Sequence, residues 1–275
     1  MAAQKIIVID ASRGNESYWS DAWAARDLIF FIAMRDAAVR YKQNFAGVAW
    51  VVIRPALGII LLTVIFGAVA SLPSGGVPYA IMVATGMLPW QLFASGFAES
   101  SHSVVANSHL ISKIYFPRII LPASAILASA GDFVISLAVL IVICAVFGFP
   151  PGIRILMLPL YAGLASLTAA AVGLWVAAFN VRFRDVRHVL PFAIQFGLYL
   201  SPVGFSSEVV PAKWQMIYSL NPMVAVIDGF RWAMLGAGPE PLTNGLWPSM
   251  VFTLALFAGG LWYFQRCDKN FCDMI

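Results

Sequence analysis

Apolar runs of about 20 residues, the length of helix that crosses the hydrocarbon core of a bilayer, recur along this sequence at roughly 47–70, 78–98, 119–148, 154–179, 189–205 and 246–264. A soluble core built from 275 residues has no room to hide so much apolar surface. The composition agrees: 61% of residues are hydrophobic and 11% charged, whereas soluble domains carry about 25% charged residues. The expected fold class is therefore an all-α membrane protein with six transmembrane helices. Turn residues mark the joins: Pro73 to Gly76 after the first run, Gly148 to Gly152 after the third, and Gly236 to Pro241 before the last.

Lys and Arg positions orient the spans. With both ends in the cytoplasm, fourteen of the seventeen Lys and Arg residues fall inside, leaving Arg154, Lys213 and Arg231 outside. That bias predicts an N-in, C-in topology. The short apolar run Ile6 to Ile9 ends at Asp10 and is too brief for a secretory signal, so insertion is expected to rely on the spans themselves. Residues 1–45 form a cytoplasmic N-terminal segment and 46–275 the transmembrane domain. Within 20–45, Ala24, Leu28, Phe31 and Ile32 alternate with Arg26, Asp27, Arg35, Asp36, Arg40 and Lys42 at near-helical spacing. This suits an amphipathic helix lying on the cytoplasmic leaflet.

Two connecting segments stand out. The stretch from Ser100 to Arg118 is polar at its start and basic at its end, either a connector or a small helix presented to a soluble partner. Residues 209–236 carry two apolar patches split by Asn221 and Pro222, each too short to cross. They predict a pair of re-entrant helices on the outer side, a form tolerated where protein or water satisfies the backbone.

The catalytic inventory is thin. No GxxxxGK[ST], HExxH or GxSxG pattern occurs, so ATP hydrolysis is expected on another polypeptide. His102, His109 and His188 lack a matched nucleophile and carboxylate. Cys144, Cys267 and Cys272 lack metal-ligand spacing and read as unpaired thiols, and no metal site is expected. Asp132, near the middle of the third run, is the conspicuous intramembrane acid. It reads as functional or, in the blander alternative, as a neutral carboxyl bonded to a nearby Ser or Thr. Trp50, Trp90, Trp214, Trp232, Trp247 and Trp262 fall near span boundaries, as an interfacial belt requires. Phe93, Phe196 and Tyr199, with Trp50, are candidates to line a pathway and stack on sugar faces, against an ordinary packing role.

Four long segments, RDAAVRYKQNFAGVAWVVIRP, GMLPWQLFASGFAESSHSVVANSHLISKIYFPRIILP, FNVRFRDVRHVLPFAIQFGLYLSPVGFSS and YSLNPMVAVIDGFRWAML, stand in the same order as in a known family. Over residues 25–265 the chain resembles the permease subunits of type-2 ABC exporters for polysaccharide and polyol phosphate, most of all the O-antigen branch. The resemblance implies a homodimer of six-span subunits joined to two ATP-binding subunits, in a bacterial inner membrane. That assembly would move an undecaprenyl-type lipid-linked polysaccharide outward, with no nucleic acid partner. No cofactor is expected on this chain, with ATP and Mg on the partner subunit.

It implies further that residues 22–42 and Ser100 to Arg118 seat the ATPase, with Asn107, Leu110, Lys113, Tyr115, Phe116 and Arg118 as the coupling core and Asn180 to Arg187 as a second contact. Residues 209–236 would shape the exit, and the seam between the first and fifth spans would open. Arg40, Lys42 and Arg54 are candidates for meeting the lipid pyrophosphate at the entrance, or simply basic anchors of the positive-inside kind. Capsule or teichoic acid export fits the same class. A membrane-embedded transferase acting on lipid-linked sugar, or a passive channel or scaffold, stands as the alternative.

Overall fold

A computed structural model of the chain describes residues 18–42, 49–183, 185–236, 246–268 and 271. Expectations that rest on Lys5, Arg13, Arg184, Lys269 and Cys272, or on the side chain of Lys42, lie outside the described residues. Helices account for the regular structure throughout, with no strand among the described residues.

Five helical stretches are long and apolar enough to cross a membrane: 52–69, 79–106, 120–146, 153–182 and 246–268. The first is α3 (Ala49–Leu62), prolonged by a π-helical segment over Thr63–Val69. The others are α4 (Tyr79–Ala106), α6 (Ile120–Val146), α7 (Leu158–Arg182, entered through a 3₁₀ turn at Ile153–Met157) and α11 (Leu246–Asp268). The fifth expected span, 189–205, is instead α8 (Val186–Leu200), of 15 residues. At 1.5 Å per residue it covers about 22 Å, short of the roughly 30 Å hydrocarbon core. The chain turns at Ser201 and runs through an irregular stretch to a 3₁₀ turn at Ser207–Val209.

The central element is α4, whose most apolar window is 72% buried, against 11% for the first span. It packs on α6 and α7, and small residues set how closely. A Cβ on Gly173 of α7 would fall 2.0 Å from the hydroxyl of Ser100 on α4, so glycine there lets the two backbones approach. Because α4 runs to Ala106 rather than ending near 98, Trp90 sits within it at 4% exposure and leaves the interfacial belt. Trp50, Trp214, Trp247 and Trp262 are exposed, as a belt requires.

Before the first span the chain forms α1 (Tyr18–Ala24) and α2 (Arg26–Lys42). The apolar side chains of α2 do not all turn to one side. Ile32 and Ala33 are buried as α2 packs along α6, while Phe30, Phe31, Met34 and Val39 are exposed. On the opposite end of the bundle, α9 (Ala212–Tyr218) and α10 (Pro222–Leu235) flank Asn221. The Asn221 side chain accepts from the Met223 N–H at 3.0 Å, capping α10, and Pro222 follows at its first turn. Gly236, at φ +67°, closes it in the left-handed conformation that glycine adopts freely. Twelve of the fourteen residues of α10 are buried, so protein rather than lipid surrounds it.

Candidate functional site

Where α2, α3, α4 and α6 meet, a cavity of about 260 Å³ is lined by Arg40, Trp50, Arg54, Glu99 and Asp132, together with Gln91, Ser95, Ser129 and Ser136. Each helix delivers a particular group. Arg40 lies near the end of α2, and its guanidinium donates to Asp132 of α6 while lying 3.3 Å from the carboxylate of Glu99 on α4. Arg54 of α3 places its guanidinium 5.9 Å from the centre of the Trp50 ring, an arrangement that attracts the cation to the ring face. Among the described residues, two cations and two anions therefore share a recess in a mostly apolar bundle. Charges at such depth are tolerated when paired or facing an aqueous cavity. Ser95 and Ser136 return their hydroxyls to carbonyls of their own helices, those of Gln91 at 2.8 Å and Asp132 at 3.1 Å.

The structure thus brings together Arg40, Arg54 and Trp50 from the expected set. It revises Asp132, which is ion-paired to Arg40 across 92 positions of sequence instead of bonding as a neutral acid to a nearby hydroxyl. Glu99 escaped sequence reasoning because the second span was ended at 98; it is the single carboxylate in the 28 residues of α4. The other aromatics expected to line a pathway do not join the cavity. Phe93 stacks along α4 between Trp90 and Phe97, at ring separations of 5.2 and 5.8 Å. Phe196 and Tyr199 lie exposed on α8, with the Tyr199 hydroxyl accepting from Gln195 at 3.1 Å.

The segment between α4 and α6 is shorter than expected, since residues through Ala106 are helical; a single turn, α5 (Ser108–Ile111), occupies its middle. Asn107 is buried, and its side-chain oxygen accepts from Arg35 of α2 at 2.8 Å. Phe116 is buried and Leu110 packs beside it. Arg118 donates to the backbone carbonyl and carboxylate of Asp268 in α11, at 2.8 and 3.0 Å. Burial, with Asp268 alongside, pushes the Tyr18 hydroxyl well above its ordinary pKa. Lys113, Ile114 and Tyr115 form the exposed tip. Asn180 is buried, donating to the Ser101 carbonyl at 3.0 Å, so of the second expected contact it serves packing.

A second charged cluster lies at the far end. Arg231 of α10, 5% exposed, donates to the carbonyls of Val203, Phe205 and Met82 at 2.8, 2.9 and 3.3 Å. It thereby satisfies the irregular backbone that follows α8. Asp228 sits one turn earlier with its Oδ1 4.0 Å from Arg231 and no hydrogen-bond partner for that oxygen. Burial pushes its carboxyl up to about 6, against the pull of a Ser207 hydrogen bond and of Arg231. Among the described residues no three His, Cys, Asp or Glu side chains gather as a metal site.

Comparison with known proteins places this geometry. The family profile of the ABC-2 type transporter matches residues 27–235, from α2 through α10 and including all four cavity charges. The chain belongs to the ABC-2 type transporter family. An O-antigen export system permease protein of Klebsiella pneumoniae is 30% identical over 258 residues, covering 90% of this chain and 95% of that protein. The O-antigen export system permease protein of Myxococcus xanthus is 24% identical over 208 residues, 75% of this chain and 79% of that protein. The polysialic acid transport protein KpsM of Escherichia coli is 22% identical over 241 residues, 85% and 91% of the two chains. Membership makes this ABC-2 chain a multi-pass membrane component of a transporter, a role that agrees with its five long apolar helices.

Proposed function

We propose that this ABC-2 chain is the permease subunit of an exporter for lipid-linked polysaccharide, O-antigen first among the candidates, driven by ATP hydrolysed on a separate subunit. The observation that carries the reading is the similarity to an O-antigen export permease along 95% of that protein's length. Two copies with two ATP-binding subunits form the working unit, in the bacterial inner membrane. Six crossings, with both ends cytoplasmic, account for the side preference of fourteen of seventeen Lys and Arg residues. In that topology α8 is the fifth crossing, completed by the stretch whose carbonyls Arg231 holds, and α9 and α10 form the re-entrant pair. Five crossings would put the two ends on opposite sides and scatter the basic residues.

In this reading the cavity at Arg40 and Arg54 is the entrance for the pyrophosphate of the lipid carrier, with Lys42 nearby in sequence. Trp50 offers the first sugar a ring face, and Phe93, Phe196 and Tyr199 offer others along the route. Stacking suits a moving polymer because it holds many sugars about equally well. The exposed tip Lys113 to Tyr115 meets the ATPase, while Asn107, Leu110, Phe116 and Arg118 hold that tip in place. The carboxylate pair that a transferase would need is present as Glu99 and Asp132, but Arg40 engages both, which supports a counter-ion role over general-base chemistry.

The test is affinity isolation of the tagged chain from gently solubilised native membranes, with an ATPase assay and identification of bound chains and glycolipid. An ATP-binding subunit in equal amount, carrying glycolipid, is the expected result. A chain isolated alone, under conditions that keep other ABC complexes whole, overturns the proposal.

A further inference from the structure

The charged cluster at the far end of the bundle borders a second cavity, of about 280 Å³, between the loop after the first span, the irregular stretch after α8, and α10. Gly75 and Glu208 line it as exposed residues, whereas Met82, Asp228 and Arg231 line it from buried positions. The cavity thus runs from an accessible rim to a floor that carries charge. Such a floor is costly unless each charged group is answered by a partner.

Arg231 is answered. Its three guanidinium nitrogens each donate to a backbone carbonyl, those of Met82, Phe205 and Val203. Asp228 is answered only in part. Its Oδ1 lies 4.0 Å from Arg231, beyond hydrogen-bond reach, and has no hydrogen-bond partner although the side chain is only 9% exposed. The Ser207 hydrogen bond to this carboxyl leaves that oxygen unserved. A buried acceptor in this condition calls for a partner from outside the chain. Among the described residues that line the cavity, two carboxylates stand against one guanidinium whose donors are spent on carbonyls. The partner is therefore a cation with hydrogen-bond donors. A metal ion fits poorly, because among the described residues no three His, Cys, Asp or Glu side chains gather. A primary ammonium fits well, being a compact charge with three N–H donors and no acceptor. Three acceptors line the cavity to meet it: Asp228 Oδ1, the Glu208 carboxylate and the Ser206 hydroxyl oxygen, whose bond from the Glu208 N–H is a long 3.4 Å.

We propose that this cavity is a binding site for a primary ammonium group, with Asp228 as its counter-ion, Glu208 as the charge that draws it in at the rim, and Ser206 as the third acceptor. In the topology proposed above, the cavity opens at the outer face. Two kinds of molecule carry the group there: a phospholipid with an ethanolamine head, and an amino sugar. The proposal stands apart from the export reading, since it needs only the cavity and the groups that line it.

The experiment is titration calorimetry on the purified full-length chain in an uncharged maltoside detergent at neutral pH. Two pairs of probes are compared: dioctanoyl phosphatidylethanolamine against dioctanoyl phosphatidylcholine, whose quaternary nitrogen has no N–H, and glucosamine against glucose. In at least one pair the amine is expected to bind at least about tenfold tighter, the ratio that about 1.4 kcal/mol of discrimination produces. A preference within the phospholipid pair alone assigns the ammonium to a lipid head, and one within the sugar pair alone assigns it to an amino sugar. A preference in both supports a site that reads the ammonium itself. Asp228→Asn keeps the shape and removes the charge, and should bring the ratio to within about twofold, since truncating a buried charge partner costs tenfold or more in affinity. Glu208→Gln, at the exposed rim, should weaken the amine by up to about fivefold, the scale of an exposed ion pair; it decides alone if Asp228→Asn does not fold. No preference in either pair overturns the proposal, and so does a preference that survives Asp228→Asn or, where that variant does not fold, Glu208→Gln.

Discussion

Replacing Arg231 with Met removes the donor for three carbonyls, two of them buried and that of Phe205 half-buried, while keeping an unbranched chain in its place. The carbonyls of Val203 and Phe205 receive bonds of 2.8 and 2.9 Å and that of Met82 one of 3.3 Å, from a side chain only 6% exposed. Leaving a buried acceptor unpaired costs about 1–3 kcal/mol. Two well-formed bonds and one long one therefore amount to about 3–5 kcal/mol. Relief of the desolvation cost that the buried guanidinium itself carries offsets part of this, so about 3 kcal/mol is the expected net loss. For a chain of this size that lowers the melting temperature by roughly 6–12 °C. Arg231→Lys keeps the charge, but its compact ammonium cannot reach three carbonyls spread over two segments in the way a planar fork does. It is expected to recover about 1 kcal/mol, the worth of a single bond. The assay is thermal unfolding in detergent at neutral pH, followed by tryptophan fluorescence, with hydrogen exchange at 203–205 reporting whether the end of α8 loosens. An Arg231→Met chain that melts within about 2 °C of the parent, less than 1 kcal/mol is worth, refutes the argument that this side chain holds the break after α8.

Asp228 supplies a prediction of opposite sign. Its folded-state pKa of about 6 lies above the ordinary 3.8, so its contribution to stability is full below the lower value and is lost as pH rises through the upper one. The ionised form costs at most about 3 kcal/mol above pH 6. Asp228→Asn, with Arg231, Glu208 and Tyr218 left in place around it, is expected to melt higher than the parent at neutral pH and to flatten the stability curve between those values; parallel curves would refute it. At Gly229 a Cβ would meet the Tyr161 ring at 2.2 Å, so Gly229→Ala should cost about 1–3 kcal/mol in the same melting assay, and Tyr161→Leu in the same chain should restore part of it. At the exposed tip, Lys113→Glu with Tyr115→Ala should leave the melting temperature unchanged, since surface changes stay within about 0.5 kcal/mol, while abolishing co-isolation of the ATP-binding subunit.

The apolar runs were legible because burial in lipid demands uninterrupted hydropathy, and five of them became long helices, four within a few residues of their expected ends. The polar stretch after residue 98 hid the true end of α4. Ser100, Ser101 and Ser103 return their hydroxyls to carbonyls three or four residues earlier, those of Phe97, Phe97 and Ser100. A helix satisfies such residues internally, so their polarity misleads a hydropathy reading, and Glu99 falls just outside the predicted span. The split between α9 and α10 was readable, because Asn221 and Pro222 are local start signals. The shortness of α8 was not, because what stabilises the broken backbone after it is an arginine 26 and 28 positions away. For the cavity, Arg40, Arg54 and Trp50 were found by residue type, and Asp132 was noticed by its cost in lipid. Their partnership was invisible, since an ion pair between residues 40 and 132 leaves no periodic trace.

The turn between α4 and α6 stands on two feet, one at Asn107 against Arg35 of α2 and one at Arg118 against Asp268 of α11. With a single foot, a thrust delivered at Tyr115 would make the turn pivot and dissipate locally. With two, the thrust is shared by the first and last long elements of the chain. The same helix that takes up one share ends in the cavity: Arg35 and Arg40 are five residues apart on α2, about 7.5 Å along its axis. A rod that short transmits displacement with little bending, so in the proposed transporter a push on the turn would reach Arg40 and its contact with Asp132 through α2.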